Sequence, residues 1–326
     1  MSLPCPVYFF RVLLTFLTLS SALVALPQQD PNDHTLSWRG CGITKKAFME
    51  RCAEVYVEKT GVKIRLTGGG ATLGIEAAGQ GGADFGGTCR ACLSSRNENK
   101  MPLQLTVVAW DALVVVVHPD NPIDSITPEQ LIDVLQQKIT DWSELGGTPG
   151  RIITIARKGK ESGVGYMTRK LIMGDANADY GKRVIRLQSS GPVEELLEET
   201  VNGIAVTGIS SAKLRKLKVL KVSGAEPSME NIAAGRYPYF RPLYLAHPKK
   251  LNAEQQQFLT WLLSADGQQV VHEQGTVNLE LGYLLPLKYA HWEDNVVVTN
   301  KKALLEEAER RMPKRERVKN IHGPSK

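Results

Sequence analysis

Two arginines and three glycine-rich turns are the parts of this chain best suited to hold an anion. Gly68-Gly69-Gly70-Ala71-Thr72 follows the alternating run Val62-Lys63-Ile64-Arg65-Leu66 and precedes Leu73 to Ala78, which reads as the start of a helix. Gly86-Gly87-Thr88-Cys89-Arg90 follows Ala83-Asp84-Phe85 and carries a fixed cation. A third loop, Arg157-Lys158-Gly159-Lys160-Glu161-Ser162-Gly163-Val164-Gly165, follows a strand-like run from Arg151 to Ile155. Glycine lets backbone pass close to a ligand, and a helix N-terminus presents unpaired N–H groups to negative charge. A guanidinium adds two parallel donors that match a tetrahedral oxyanion. Together these turns suggest a pocket for a small oxyanion; each alone also fits an ordinary strand-to-helix connection.

The elements that must position these turns begin after an export signal. Arg11, the apolar run Val12 to Leu19 and the small residues up to Ala22 and Ala25 are the three parts of a secretory signal peptide, residues 1–25. The uncharged stretch from Val12 to Pro27 is short for a membrane-spanning helix, and Cys5 lies before the apolar core, so an exported, soluble mature chain is expected. The 326 residues carry a net charge of +6, much of it concentrated in Arg310, Arg311, Lys314, Arg315, Arg317 and Lys319. Such a tail usually is a solvated one, and no zinc-finger, helix-turn-helix or aromatic RNA-binding pattern accompanies it, so no nucleic acid partner is expected. Cys41, Cys52, Cys89 and Cys92 suit an oxidising compartment.

Along the mature chain, residues 28–37 read as a polar leader and Trp38 to Thr44 as a turn. Lys45 to Lys59 reads as a helix with Phe48, Cys52, Val55 and Tyr56 on one face, closed by Gly61. Leu103 to Val108 predicts a strand, interrupted at Ala109 to Ala112, and Leu113 to His118 a continuous apolar strand of the parallel-sheet kind. Thr127-Pro128 starts a helix to about Gln137; Tyr166 to Met173 and Val193 to Thr200 are further helices. Gly203 to Gly208, Val219 to Val222 and Tyr244 to Ala246 are strands, and Ala253 to Leu263 is a helix ended by Ser264 to Gly267. Strands alternating with helices define an α/β fold.

The order of motifs resembles the phosphate-binding periplasmic proteins of ABC uptake transporters, type II periplasmic binding proteins, from about Trp38 to Leu287. The pieces are Gly40 to Thr44; Gly68 to Ile75; Ala83-Asp84-Phe85-Gly86; Asp111-Ala112-Leu113 with His118-Pro119-Asp120-Asn121-Pro122; Lys138-Ile139-Thr140-Asp141-Trp142 before Gly146-Gly147; Arg157 to Gly163; Gly203 to Gly208; Tyr237 to Tyr244; and Gly282 to Leu287. The resemblance implies a two-lobed α/β protein, each lobe a mixed, mostly parallel sheet flanked by helices. It implies one lobe of 38–109 plus 244–287, a second of 111–241, a hinge at Ala109 to Ala112 and Phe240 to Leu243, and a charged tail at 288–326. Carried over, the ligand contacts are Ile43, Thr44, Ala71, Thr72, Arg90, Arg157, Ser162, Gly163 and Val164, with Lys158 and Lys160 as solvated rim charges. Ser162 also suits an N-cap, and the two roles coincide. The implied protein is a periplasmic monomer without enzymatic activity, cofactor or metal. It hands a small inorganic oxyanion, phosphate foremost, to a transporter permease.

The chain departs from the family pattern at two places. The threonine that usually closes the third loop is Val164, and the carboxylate that in many members accepts the proton of hydrogen phosphate is missing from Thr88-Cys89-Arg90-Ala91-Cys92. Another tetrahedral or larger oxyanion therefore stays open. Cys89 and Cys92 have C-x-x-C spacing, which fits a redox pair, a metal site or a disulfide, and lacks the histidine of a haem attachment motif. Cys52 reads as core; Cys41 is on a loop that lines the implied cleft. A disulfide from Cys41 to Cys89 or Cys92 is expected, with a three-thiol soft-metal site as the other use. The competing function is a thiol-disulfide oxidoreductase built on Cys89 and Cys92.

Overall fold

A computed structural model describes residues 35–292 and 298–312. The export signal and Lys314, Arg315, Arg317 and Lys319 lie outside them. β1 (Thr35–Gly40) leads into a helical run of α1 (Gly42–Thr44), a π turn (Lys45–Met49) and α2 (Glu50–Thr60). β2 (Lys63–Gly68), α3 (Gly70–Gln80), β3 (Phe85–Thr88) and the long β4 (Leu103–Val117) follow. Next come β5 (Ser125–Ile126), α4 (Pro128–Leu135), β6 (Ile153–Arg157), α5 (Gly163–Met167), β7 (Ile185–Leu187) and α6 (Ser190–Glu198). β8 (Gly203–Gly208), α7 (Ile209–Ala212), β9 (Lys218–Val219), β10 (Lys221–Val222) and α8 (Met229–Ala233) succeed them. The chain closes with β11 (Phe240–Pro248), α9 (Ala253–Leu263), α10 (Ala265–Glu273), β12 (Val277–Asn278), α11 (Leu285–Lys288) and α12 (Lys301–Arg311).

The main sheet has the order β2-β1-β3-β11-β4-β8-β6-β7, with β9 and β12 pairing to β4. Its two flanks are parallel: β1 with β2 and β3, and β6 with β7 and β8. Between them β11 and β4 run antiparallel to each other and to their outer neighbours. The first ten residues of β4, Leu103 to Ala112, pair with β11; Leu113 to Val117 pair with β8. One strand thus passes from one flank to the other, buried throughout save Gln104. Both faces of it are covered, which explains the unbroken apolar run.

Several expectations are corrected here. Residues Thr35 to Gly40 are a strand whose alternate residues Leu36 and Trp38 are buried, in place of the end of a polar leader and a turn. Ala109 to Ala112 does not interrupt β4: Trp110 and Asp111 stay in the ladder because β11 supplies partners for both. The apolar run from Leu113 is central, as read, yet its partners are antiparallel. Ser264 to Gly267 ends one helix and begins another, with Ser264 Oγ accepting from the Gly267 amide as the cap of α10. Val219 to Val222 divides between β9 and β10, which pair with different strands. Arg310 and Arg311 belong to α12, and the segment before it is docked. Thr299 and Asn300 hydrogen-bond to Thr106 and Val107 of β4, and Ala308 is buried.

Other local signals hold for identifiable reasons. Gly61 closes α2 with φ of 77°, a left-handed angle that glycine adopts without strain. α4 has a complete capping box between Thr127 and Gln130 and Pro128 in its first turn. Helix α3 is held against the sheet by direct backbone contact. A Cβ on Gly86 of β3 would lie 2.0 Å from the Gly74 carbonyl oxygen, and one on Gly74 would meet the carbonyls of Gly87 and Arg39. Gly86→Ala therefore forces α3 off β3, and overpacking of this kind costs about 1–3 kcal/mol. Urea denaturation should show that loss; an unchanged midpoint would mean that the helix has room to move.

Candidate functional site

Four helix N-termini meet at one cavity of about 360 Å³. Gly42 and Ile43 come from α1, Gly70 and Ala71 from α3, Gly163 and Val164 from α5, and Ser189 to Gly191 from the start of α6. Gly68, Gly69, Gln188, Cys41, Cys89 and Arg157 complete the wall. α3 and α6 have no side-chain cap, so their leading N–H groups are open to a ligand. Gly69 and Gly70 have φ of 156° and 89°, angles that would strain any other residue and that turn the chain from β2 into α3. Each of these four helices brings the positive end of its dipole to the same space.

Arg157 is the cation of the cavity. It is the last residue of β6, half-buried, and its Nη1 donates to the carbonyls of Lys158 and Leu187. None of the described residues accepts from its Nε or Nη2, and Nη2 lies 3.5 Å from where a Cβ on Gly70 would sit. Burial lowers its pKa from the usual value of 12.5, and a guanidinium keeps its proton in proteins. An anion in the cavity would restore the hydration that burial removes.

In the cavity wall, the thiols of Cys41 and Cys89 perturb one another. Cys41 is the N-cap of α1, its Sγ accepting from the Thr44 amide at 3.4 Å and lying 3.2 Å from Thr44 Oγ1. Burial pushes the Cys41 thiol up, but hydrogen bonds from Cys89 and Thr44 and the nearby Arg241 charge outweigh it, leaving Cys41 below the usual 9.0. The Cys89 thiol, which donates to Cys41 and is buried, is pushed well up. The four cysteines among the described residues are all unbridged, so the expected disulfide from Cys41 is not formed: Cys41 and Cys89 instead share the cavity wall as free thiols. Cys92 is elsewhere, its thiol pushed up to about 12 by burial and by Glu98. Among the described residues no group of three or more His, Cys, Asp or Glu side chains could hold a metal, which removes the three-thiol site. Cys52 is core, as read, and burial pushes it to about 12.

Of the sequence-derived contacts, Ile43, Ala71, Arg157, Gly163 and Val164 line the cavity. Arg90 does not, and this corrects its expected role. All five of its donors are occupied: Nε by the Glu161 carbonyl, Nη1 by the Ala91 carbonyl and Glu98, Nη2 by Thr72 and Glu98. Thr72 and Ser162 instead line a neighbouring cavity of about 610 Å³. Thr72 Oγ1 accepts from Arg90, and Ser162 Oγ donates to the Gly159 carbonyl while capping α5 at the Gly165 amide. Thr44 is fully buried, its hydroxyl donating to the Cys41 carbonyl. Lys160 is an exposed charge, paired with Asp179 at the rim. The sequence reading missed Gln188 to Gly191. The serine pair Ser189-Ser190 ahead of Pro192 is a helix-start signal that would have moved the start of α6 back to Ser190.

A cavity ringed by helix N-termini and one arginine beside a sheet of this topology is the site of an anion-binding α/β protein. The chain matches the family described as PBP superfamily domain over residues 40–266 and belongs to that superfamily. It is 26% identical over 282 residues to the phosphate-binding protein PstS of Borreliella burgdorferi, covering 83% of this chain and 99% of that one. To the phosphate-binding protein PstS of Pseudomonas aeruginosa it is 28% identical over 244 residues, 67% of this chain and 75% of that one. The solved structure of a phosphate ABC transporter substrate-binding protein with bound phosphate from Clostridium perfringens superposes with a TM-score of 0.70 at 25% identity, covering 75% of this chain and 99% of that chain. An ABC-type phosphate transport receptor from Vibrio cholerae gives 0.60 at 25% identity, with 75% and 99% covered.

The Arg90–Glu98 pair gives a test of the corrected role. Its bonds are 2.6 and 2.9 Å, both side chains are buried, and Glu98 also accepts from the Leu93 amide. Removing one partner of a buried pair costs about 3–5 kcal/mol. Glu98→Ala should lose that much stability in urea denaturation. Full stability together with lost anion binding would return Arg90 to the ligand.

Proposed function

We propose that this protein captures a small tetrahedral oxyanion, phosphate foremost, outside the cytoplasm and delivers it to the permease of an ABC uptake transporter. The observation that carries the reading is the cavity in which the N-termini of α1, α3, α5 and α6 meet Arg157. No helix among the described residues is long and apolar enough to cross a membrane. The relatives named as phosphate-binding proteins, and the phosphate-bound neighbour, support phosphate as the ligand. The oxidoreductase reading has less support, because Cys89 pairs with Cys41 rather than with Cys92 and neither member of C-x-x-C has a lowered pKa.

In this reading, backbone N–H groups of Ile43, Ala71, Gly163 and Val164 hold the oxygens, and Arg157 balances the charge. Arg157→Ala should weaken phosphate binding by about 1.5–3 kcal/mol, the range for a hydrogen bond to a charged group. Calorimetry with phosphate tests this, and unchanged affinity would remove Arg157 from the site.

With the lobe boundaries expected from the resemblance, the cavity draws on both lobes. Cys41, Gly68 to Ala71 and Cys89 fall in 38–109, whereas Arg157, Gly163, Val164 and Gln188 to Gly191 fall in 111–241. A ligand that touches both binds the closed state better and shifts the population to it. Small-angle scattering should give a smaller radius of gyration with phosphate bound. Identical curves alongside tight binding would place the ligand within one lobe.

A further inference from the structure

The relatives' name accounts for the helix N-termini and Arg157 but not for two thiols in the same wall. Cys41 and Cys89 both line the cavity, and each thiol shifts the titration of the other, as neighbouring sulfurs do. Two further positions fix them. Cys41 Sγ is held by the Thr44 amide and hydroxyl. Cys89 Sγ abuts the start of α5, where a Cβ on Gly163 would come within 2.4 Å of it. Neither is in a disulfide. Behind them Arg241 is fully buried, and among the described residues its Nε and Nη1 have no hydrogen-bond partner. Its guanidinium, paired with Asp111 through Nη2, acts to lower the pKa of both thiols.

We infer that the Cys41–Cys89 pair makes this cleft a site for trivalent arsenic hydroxide, As(OH)3, bound through both sulfurs. Adjacent thiols are suited to this soft, three-coordinate centre, whereas an oxyanion such as phosphate has no free valence for sulfur. Two S–As bonds form and two As–OH bonds break. The two thiol protons leave with the two hydroxides as water, and arsenic stays trivalent, so neither oxidant nor reductant takes part. The remaining As–OH stays in the cavity with Arg157 and the N-terminal amides of α3 and α5 as its donors. The binding uses the cavity proposed for phosphate but not the phosphate reading itself, since the sulfurs alone supply the bonds.

The test adds sodium arsenite to the reduced protein. Native mass spectrometry should show one arsenic per chain with the mass of two waters lost relative to As(OH)3. Cys41→Ser and Cys89→Ser should each lose the adduct while keeping the wild-type circular dichroism. X-ray absorption at the arsenic edge, on wild-type protein alone, should count two sulfurs and one oxygen, which guards against variants that fail to fold. Phosphate titrated into the arsenite-loaded protein should no longer bind. No adduct, an all-oxygen shell, or an adduct retained in either serine variant overturns the inference. Phosphate binding without an arsenite adduct sinks this inference alone, and an arsenite adduct in a protein that never binds phosphate sinks only the phosphate reading.

Discussion

The structure turns on a buried ion pair where its two longest strands cross. Arg241 of β11 stands opposite Asp111 of β4 in the antiparallel register, their atoms 3.2 Å apart and both side chains out of solvent. Asp111 also accepts from the amide and hydroxyl of Ser210, which ties the start of α7 to the same point. A charge pair at this depth is costly to desolvate, so its presence says little about stability by itself. What it does is electrostatic. Asp111 engages one nitrogen of Arg241, and across the cavity wall the Arg241 charge acts to lower the pKa of Cys41 and Cys89 while Asp111 acts to raise that of Cys89. The electrostatics of that wall are thus set partly by the frame of the sheet, ahead of any ligand contact.

Around that wall, glycine does what side chains cannot. Gly74 and Gly86 let α3 settle backbone to backbone on β3, and Gly69 and Gly70 let the chain turn sharply enough for the helix to begin at the cavity edge. The helix N-terminus is then aimed by packing rather than by a cap, which is why α3 needs none and its amides stay available. α5 solves the same problem differently. Its cap, Ser162, occupies the Gly165 amide and leaves Gly163 and Val164 to face inward.

Much of this was legible in the sequence wherever a short local signal has a short local cause. Gly61 as a helix stop, the Thr127-Pro128 start and the turn at Gly68 to Gly70 into α3 read correctly, because each depends on neighbours within a few residues, whereas Gly86 and Gly87, read as a turn, lie within the ladder of β3. What sequence could not supply was pairing over distance. Arg90 looks like a ligand until Glu98 is found beside it, and a guanidinium in a glycine-rich turn reads the same in either role. The C-x-x-C spacing pointed Cys89 at Cys92, whereas β3 and α1 bring it to Cys41, 48 positions away. Ala109 to Ala112 looked like a break because a charged residue sat within an apolar run; its partner lay on a strand 130 residues downstream.

The paired ribbon of β4 and β11 also sets how the molecule deforms. Fifteen residues of extended chain reach about 50 Å, so β4 is a beam with one end anchored in each parallel flank. Breaking its ladder in the middle would expose backbone groups that have no water to turn to. Twisting it exposes none. The register shift between Leu243 and Tyr244 is the one irregularity along this ladder, and a shift of this kind bends the strand and increases its local twist. The two parallel flanks are therefore joined through one continuous ribbon, and its ladder changes register at Leu243 and Tyr244.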